Sequence, residues 1–191
     1  MKTCFQYMRF LIFILSFTLV ILSPVQTVAF SVDTHRAINE KTADKNSFLH
    51  QYLINQLGWN NGVETEINEK WIAKHIGDGG VREDAGGRSV NHFHNPLTNR
   101  GLFGNYSAMI WATLPAGAQQ LQNYSWNDVR DYYFQALTAR EKTKRDNWFA
   151  LTFLGVGQIM HLVQDMSVPA HVRADIHPPP FWNDGYEEWA K

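Results

Sequence analysis

The sequence is poor in cysteine, in long apolar runs and in surplus charge, and each shortage excludes a class of protein. Its 191 residues hold one cysteine, Cys4. A lone thiol near the start gives no disulfide framework and no thiolate metal site. One apolar run stands out, Phe10 to Leu22, about thirteen residues against the ~20 that span a bilayer, so a polytopic membrane protein is excluded. Hydrophobic residues at 45% and charged residues at 18% exclude a disordered tail. There is no Gly-x-Ser-x-Gly elbow, phosphate-binding loop or dinucleotide fingerprint, which removes the commonest hydrolase, nucleotidase and dehydrogenase readings.

Lys2 and Arg9 precede the apolar run, and Pro24 and Thr27-Val28-Ala29 follow it, the pattern of a secretory signal peptide cleaved after Ala29. The competing reading is an uncleaved anchor. Cleavage leaves residues 30–191 as one domain, with no integral membrane anchor and a secreted or periplasmic location. Taking Lys2 and Arg9 from 17 basic groups leaves 15 against 18 acidic ones, a net charge of −3 that does not suggest a nucleic-acid coat protein or an anionic-membrane binder. Nothing calls for an obligate protein partner. All eight histidines survive processing and Cys4 does not, so a transition metal here is held by His, Asp and Glu.

Helical spacing of apolar residues predicts helices over 34–44, 47–57, 64–76, 125–142 and 146–166, the first capped by Asp33 or Thr34 and the fourth starting at Ser125. The last is the most apolar and is expected to be the central helix. No strand alternation is convincing. The class is therefore all-α, a single helical domain with a buried central helix and long functional loops. Seven glycines and Pro96 between Gly77 and Asn105 predict a long loop, a kind of segment that usually carries function. A second irregular segment follows Pro169, and a helical tail over 186–191 runs to the last residue, which suggests a chain that continues beyond it.

His161 and Asp165 lie four apart on the central helix, on one face, where they can share a metal ion. Pro169 then permits a turn that brings His171 back toward them. Gly157, one turn earlier, leaves room for an ion or for another backbone. Asn91-His92-Phe93-His94-Asn95-Pro96 puts two histidines in the Gly-rich loop with Glu83-Asp84 upstream, and strict alternation would point His92 and His94 the same way. The competing readings are a core histidine at 161 and a surface pairing of Asp84 with Arg82 or Arg88. His35 opens a helix five residues after the predicted new N-terminus, whose amino group is itself a possible metal ligand. His177 and Glu187 add an imidazole and a carboxylate near the end. His50 and His75 lack acidic neighbours at useful spacing and are read as structural.

Gly157-x-x-x-His161-x-x-x-Asp165-x-x-x-Pro169-x-His171, with Asn91-His92-Phe93-x-x-Pro96 and Thr34-His35-Arg36-Ala37-Ile38, resembles the zinc-dependent phospholipase C superfamily, which includes zinc-dependent single-strand nucleases. The match runs over nearly all of residues 30–191. The resemblance implies an all-helical, phospholipase C-like fold with up to three zinc ions. Phe30, as the mature N-terminus, would bind one zinc through its amino nitrogen and carbonyl oxygen, with His35. Asp84, His92, His161 and Asp165 would hold a second, Asp165 bridging the two. His171 and Glu187 would hold the third with a further histidine. The family's last histidine stands one turn before the final carboxylate, where this chain has Asn183, so His177 is the substitute. Asp78 is the rival of Asp84.

The implied activity is phosphodiester hydrolysis by a zinc-bridged hydroxide, with Asp84 the catalytic carboxylate that orients or deprotonates the water. His92-Phe93-x-x-Pro96 and the lack of mature cysteines place a phospholipid ahead of a nucleic acid as substrate. The alternatives are a single-strand nuclease and a non-catalytic secreted zinc-binding protein.

Overall fold

A computed structural model of the protein describes residues 30–118, 122–176, 186 and 189. The predicted signal peptide, His177, Asn183 and Glu187 lie outside them. Helix α1, Val32–Thr42, is capped by Ser31, whose hydroxyl accepts from the Thr34 amide; the cap is thus upstream of the predicted Asp33 or Thr34. Helix α2, Phe48–Leu57, is capped by Ser47 and stopped by Gly58 at φ 69°, a left-handed conformation that suits glycine.

The helix expected over 64–76 does not form as such. Glu66–Ile67 (β1) and Lys70–Trp71 (β2) pair as a short antiparallel hairpin, and helix α3 starts only at Ile72 and runs to Glu83. Asn68 and Glu69 make the two-residue turn at φ 49° and 62°. Two consecutive positive φ values define the hairpin turn that matches strand twist, and asparagine tolerates one of them well. The Asn68 amide also donates to Asn147 Oδ1 (2.9 Å).

Helix α4 is one turn, Ala108–Trp111. Helix α5, Trp126–Thr138, begins with a capping box in which the Ser125 side chain accepts from the Asp128 amide and the Asp128 carboxylate accepts from the Ser125 amide. The central helix α6, Lys142–Asp165, is 24 residues long and starts four residues before the predicted position. Pro169 opens a further short helix, α7 (Pro169–Arg173), in a stretch expected to be irregular. Proline fits there because a first-turn amide has no partner within the helix.

The expected loop is half helix. Gly77, Gly79 and Gly80 lie inside α3, because neighbouring helices press close there: Gly79 meets the backbone of α6 at the α3–α6 crossing, while Gly77 and Gly80 face Glu40 and Asn39 of α1. A Cβ on Gly79 would sit 2.1 Å from the Leu154 carbonyl oxygen, and one on Gly157 would sit 2.0 Å from that of Ile76. Gly157 therefore makes room for another backbone rather than for an ion. Asn39 of α1, fully buried, ties the crossing together by donating to the carbonyls of Ile76 (2.9 Å) and Gly157 (3.0 Å). These contacts draw α1, the end of α3 and the end of α6 to one place. The apolar core lies at the other end of α6, where Phe149 and Phe153 pack with Leu53, Val63, Ile67, Ile72, Ile76 and Ala136. The molecule is mostly helical, an all-α domain apart from the small hairpin. Among the described residues no helix is long and apolar enough to cross a membrane.

Candidate metal centre

Six of the predicted site residues converge. His35 comes from α1, Asp84 from the C-terminal cap of α3, His92 from the end of the 3-10 turn Gly86–Asn91, His161 and Asp165 from α6, and His171 from α7. His35, His92, His161, Asp165 and His171 are each 0% exposed. One ligand atom each from His35, Asp84 and His161 lie within 4.8 Å of one another, and the same holds for His92, His161 and Asp165.

Asp165 sits at the centre and divides its two oxygens. Oδ1 lies 3.4 Å from His35 Nε2, while Oδ2 lies 2.9 Å from His92 Nδ1, 3.2 Å from His161 Nε2 and 3.5 Å from His171 Nδ1. Asp84 Oδ1 lies 3.5 Å from His161 Nε2 and 3.6 Å from His92 Nδ1. The His35 and His161 rings stack at 3.6 Å between centroids, and Phe93 stacks on His171 at 4.4 Å.

The outer nitrogens are fixed by the fold. His35 Nδ1 meets Gln164 Oε1 at 2.8 Å, and Gln164 Nε2 donates to Asn39 Oδ1, so the network that joins α1 to α6 also turns His35 Nε2 inward. His161 Nδ1 meets the Gly80 carbonyl at 2.7 Å, which turns its Nε2 inward. Only a protonated Nδ1 can donate to these acceptors, which leaves each Nε2 with a lone pair for a cation. His171 Nδ1 meets the His92 carbonyl at 3.2 Å.

Inside this shell, His35 Nε2 and both oxygens of Asp84 and of Asp165 are buried without a hydrogen-bond partner. Leaving such groups unpaired costs about 1–3 kcal/mol each, more for charged ones. Divalent cations, which take oxygen and imidazole nitrogen as ligands, are the groups such atoms suit, and this set of buried His and Asp residues could hold a metal ion.

The electrostatics have the same origin. Burial pushes the Asp84 carboxyl up, although His161 and His92 pull it down. Burial also opposes charge on Asp165, yet the surrounding imidazoles hold it well below the usual carboxylate range. His92 is pushed up to about 10: its burial acts downward, and Asp165 and Glu83 outweigh it. His161 is raised chiefly by Asp165 against its own burial. Without an ion, protons take the place of positive charge among these carboxylates.

Other predicted residues are placed as follows. Phe30 is buried against Val168, Ala170 and Tyr186, with its ring edge-on to His35 at 5.6 Å between centroids, so it borders the cluster. Asp78 faces away from it, paired with Arg36 at 2.6 Å and with Lys70. Arg88 pairs with Glu83 rather than Asp84. His94 and His92 do not alternate on a strand, because His92 caps a 3-10 turn at φ −83° and ψ −3°. His75 Nε2 meets the Ile67 carbonyl (2.9 Å), and His50 Nδ1 accepts from the Val63 amide (3.3 Å), the structural roles expected of both.

Sequence reasoning gave no role to Glu83. It is 0% exposed, accepts from Arg88 Nε (3.0 Å) and Nη2 (2.7 Å) at Oε2 and from Trp111 Nε1 (2.8 Å) at Oε1, and lies 3.6 Å from His92 Nε2. The adjacent Glu83-Asp84 pair was the available signal, since neighbours on a helix end point to different sides. No family model, curated protein or solved structure matches the chain.

Proposed function

We propose that this protein is a secreted zinc-dependent phosphodiester hydrolase of phospholipase C type. The observation that carries the reading is the divided Asp165 carboxylate, with one oxygen toward His35 and the other toward His92 and His161, each oxygen buried without a hydrogen-bond partner. A carboxylate so placed suits a bridge between two cations. His35, with Phe30 if the chain begins there, would hold one zinc; Asp84, His92 and His161 would hold a second; His171 would contribute to a third. The ligand set, imidazole and carboxylate without thiolate, favours zinc in an open hydrolytic site over a closed structural one. When bound, zinc supplies Lewis acidity that neutralises phosphate oxygens and makes water more acidic.

The chain's own residues do the rest. Asp84 turns Oδ1 toward His161 and His92, and neither of its oxygens has a hydrogen-bond partner, so this carboxylate is the candidate to orient the attacking water and take its proton. Gln164 and the Gly80 carbonyl hold His35 and His161 in the orientation that presents Nε2. Phe93 stacked on His171 helps keep bulk water from that side of the cluster. A phospholipid is the preferred substrate, on the His92-Phe93-x-x-Pro96 run.

The test is a parallel assay on phosphatidylcholine micelles and single-stranded DNA, with His161→Ala as the control. Turnover of the micelles alone, lost in the variant, is the expected result. Turnover of DNA alone would move the protein to the nuclease reading. No turnover of either, with His161→Ala losing only thermal stability, would leave a non-catalytic metal-binding protein.

A further inference from the structure

His92 differs from the other two imidazoles of the inner cluster. His35 and His161 turn Nε2 inward and rest Nδ1 on neutral oxygens, an amide and a peptide carbonyl. His92 is reversed. Its Nδ1 is the inward atom, 2.9 Å from Asp165 Oδ2, 3.3 Å from His161 Nε2 and 3.6 Å from Asp84 Oδ1, while its Nε2 points outward at Glu83 Oε1, 3.6 Å away. Its outer partner is therefore a carboxylate.

That carboxylate is held by three hydrogen bonds from two residues. Arg88 occupies Oε2 through Nε and Nη2, and Trp111 donates to Oε1 from 28 residues away. The Arg88 guanidinium is itself set 5.2 Å over the Trp111 ring and 5.9 Å over that of Tyr124. Glu83 thus has little freedom, and its Oε1 stands at ion-pair distance, 3.6 Å, from His92 Nε2, which is buried and has no hydrogen-bond partner of its own. A fixed carboxylate behind a metal-binding imidazole holds the proton on the outer nitrogen and makes the inner one a stronger donor.

We infer that Glu83 is a positioning residue, which keeps the proton of His92 on Nε2 and commits Nδ1 to the metal, and that the Glu83–Arg88–Trp111 network makes His92 the most strongly donating of the three imidazoles His35, His92 and His161. The inference rests on the metal-binding reading above. It also gives a role to Trp111, in the segment after His92, which meets Glu83 Oε1.

The test loads the full chain, labelled with nitrogen-15 in its histidine rings, with cadmium-113 and reads which ring nitrogens couple to the metal. Coupling through Nδ1 of His92, and through Nε2 of His35 and His161, is expected. Coupling through Nε2 of His92 overturns the inference and leaves the metal reading standing; no bound cadmium overturns both. A second arm measures zinc affinity by competition with a chromophoric chelator in the joint variant Glu83→Gln with Arg88→Met, which removes the buried pair without stranding either charge. A loss of ~10- to 100-fold is expected. An affinity within about twofold of the parent overturns the inference. Should the joint variant fail to fold, the coupling pattern of the unaltered chain decides alone.

Discussion

Helix α6 has two halves that obey opposite rules. Its first half puts Phe149 and Phe153 into an apolar cluster with Leu53, Ile72 and Ile76, side chains that need only van der Waals contact. Its second half buries Gln158, His161 and Asp165, and there Asp165 has both oxygens without a hydrogen-bond partner. The first half adds stability. The second half buries polar groups that lack partners, a cost of the kind that functional sites carry. The two meet at Gly157, where α3 and α6 come closest.

The change that breaks both halves at once is Gly157→Ala. Its methyl would meet the Ile76 carbonyl, a backbone atom with no rotamer to yield, so a loss of roughly 4 kcal/mol or more is expected, in the range reserved for named structural faults. Urea unfolding with and without added zinc checks it, and the metal should be lost together with the fold.

Phe153→Ala separates the halves. It removes a ring that is 5% exposed in the apolar end and should cost about 3–5 kcal/mol in the same experiment. The zinc content of the folded fraction should not change, and a fall in it would show that the two ends are not independent.

The contrast can also be sharpened through pH. In the metal-free protein His92 is raised to about 10, above its ordinary imidazole value of 6.5. A raised group contributes stability that is fully present below the unfolded value and is lost as pH rises through the folded one. The thermal midpoint of the metal-free protein should therefore fall between pH 6.5 and 10. The zinc-loaded protein should not show that fall, because its ligands are already deprotonated and binding strengthens with pH. Parallel slopes in the two forms would contradict the assignment.

Legibility followed the same division. His161, Asp165 and their helix could be read because a four-residue spacing on an apolar helix is a local signal. His35 and His92 needed the resemblance to place them, since they reach Asp165 from 130 and 73 positions away along the chain. The glycines of α3 differ from the expected loop because their reason for being there is not local: Gly79 packs against Gly157, some 80 residues on, and Gly77 and Gly80 against Glu40 and Asn39, some 40 residues back. The hairpin was misread because Ile67, Trp71 and Ile72 also fit a helical stripe, and only the two positive φ values at Asn68 and Glu69 settle it. Glu83 escaped because its partners Arg88, Trp111 and His92 come together only in the folded chain.

The central claim is that the unpaired atoms around Asp165 are metal ligands. The most direct measurement is elemental analysis of zinc per chain, on protein that begins at Phe30 and has been purified without chelators. The account predicts two or three tightly held zinc ions. None, or one, would contradict it and leave the polar end of α6 as a buried cost with no metal to offset it.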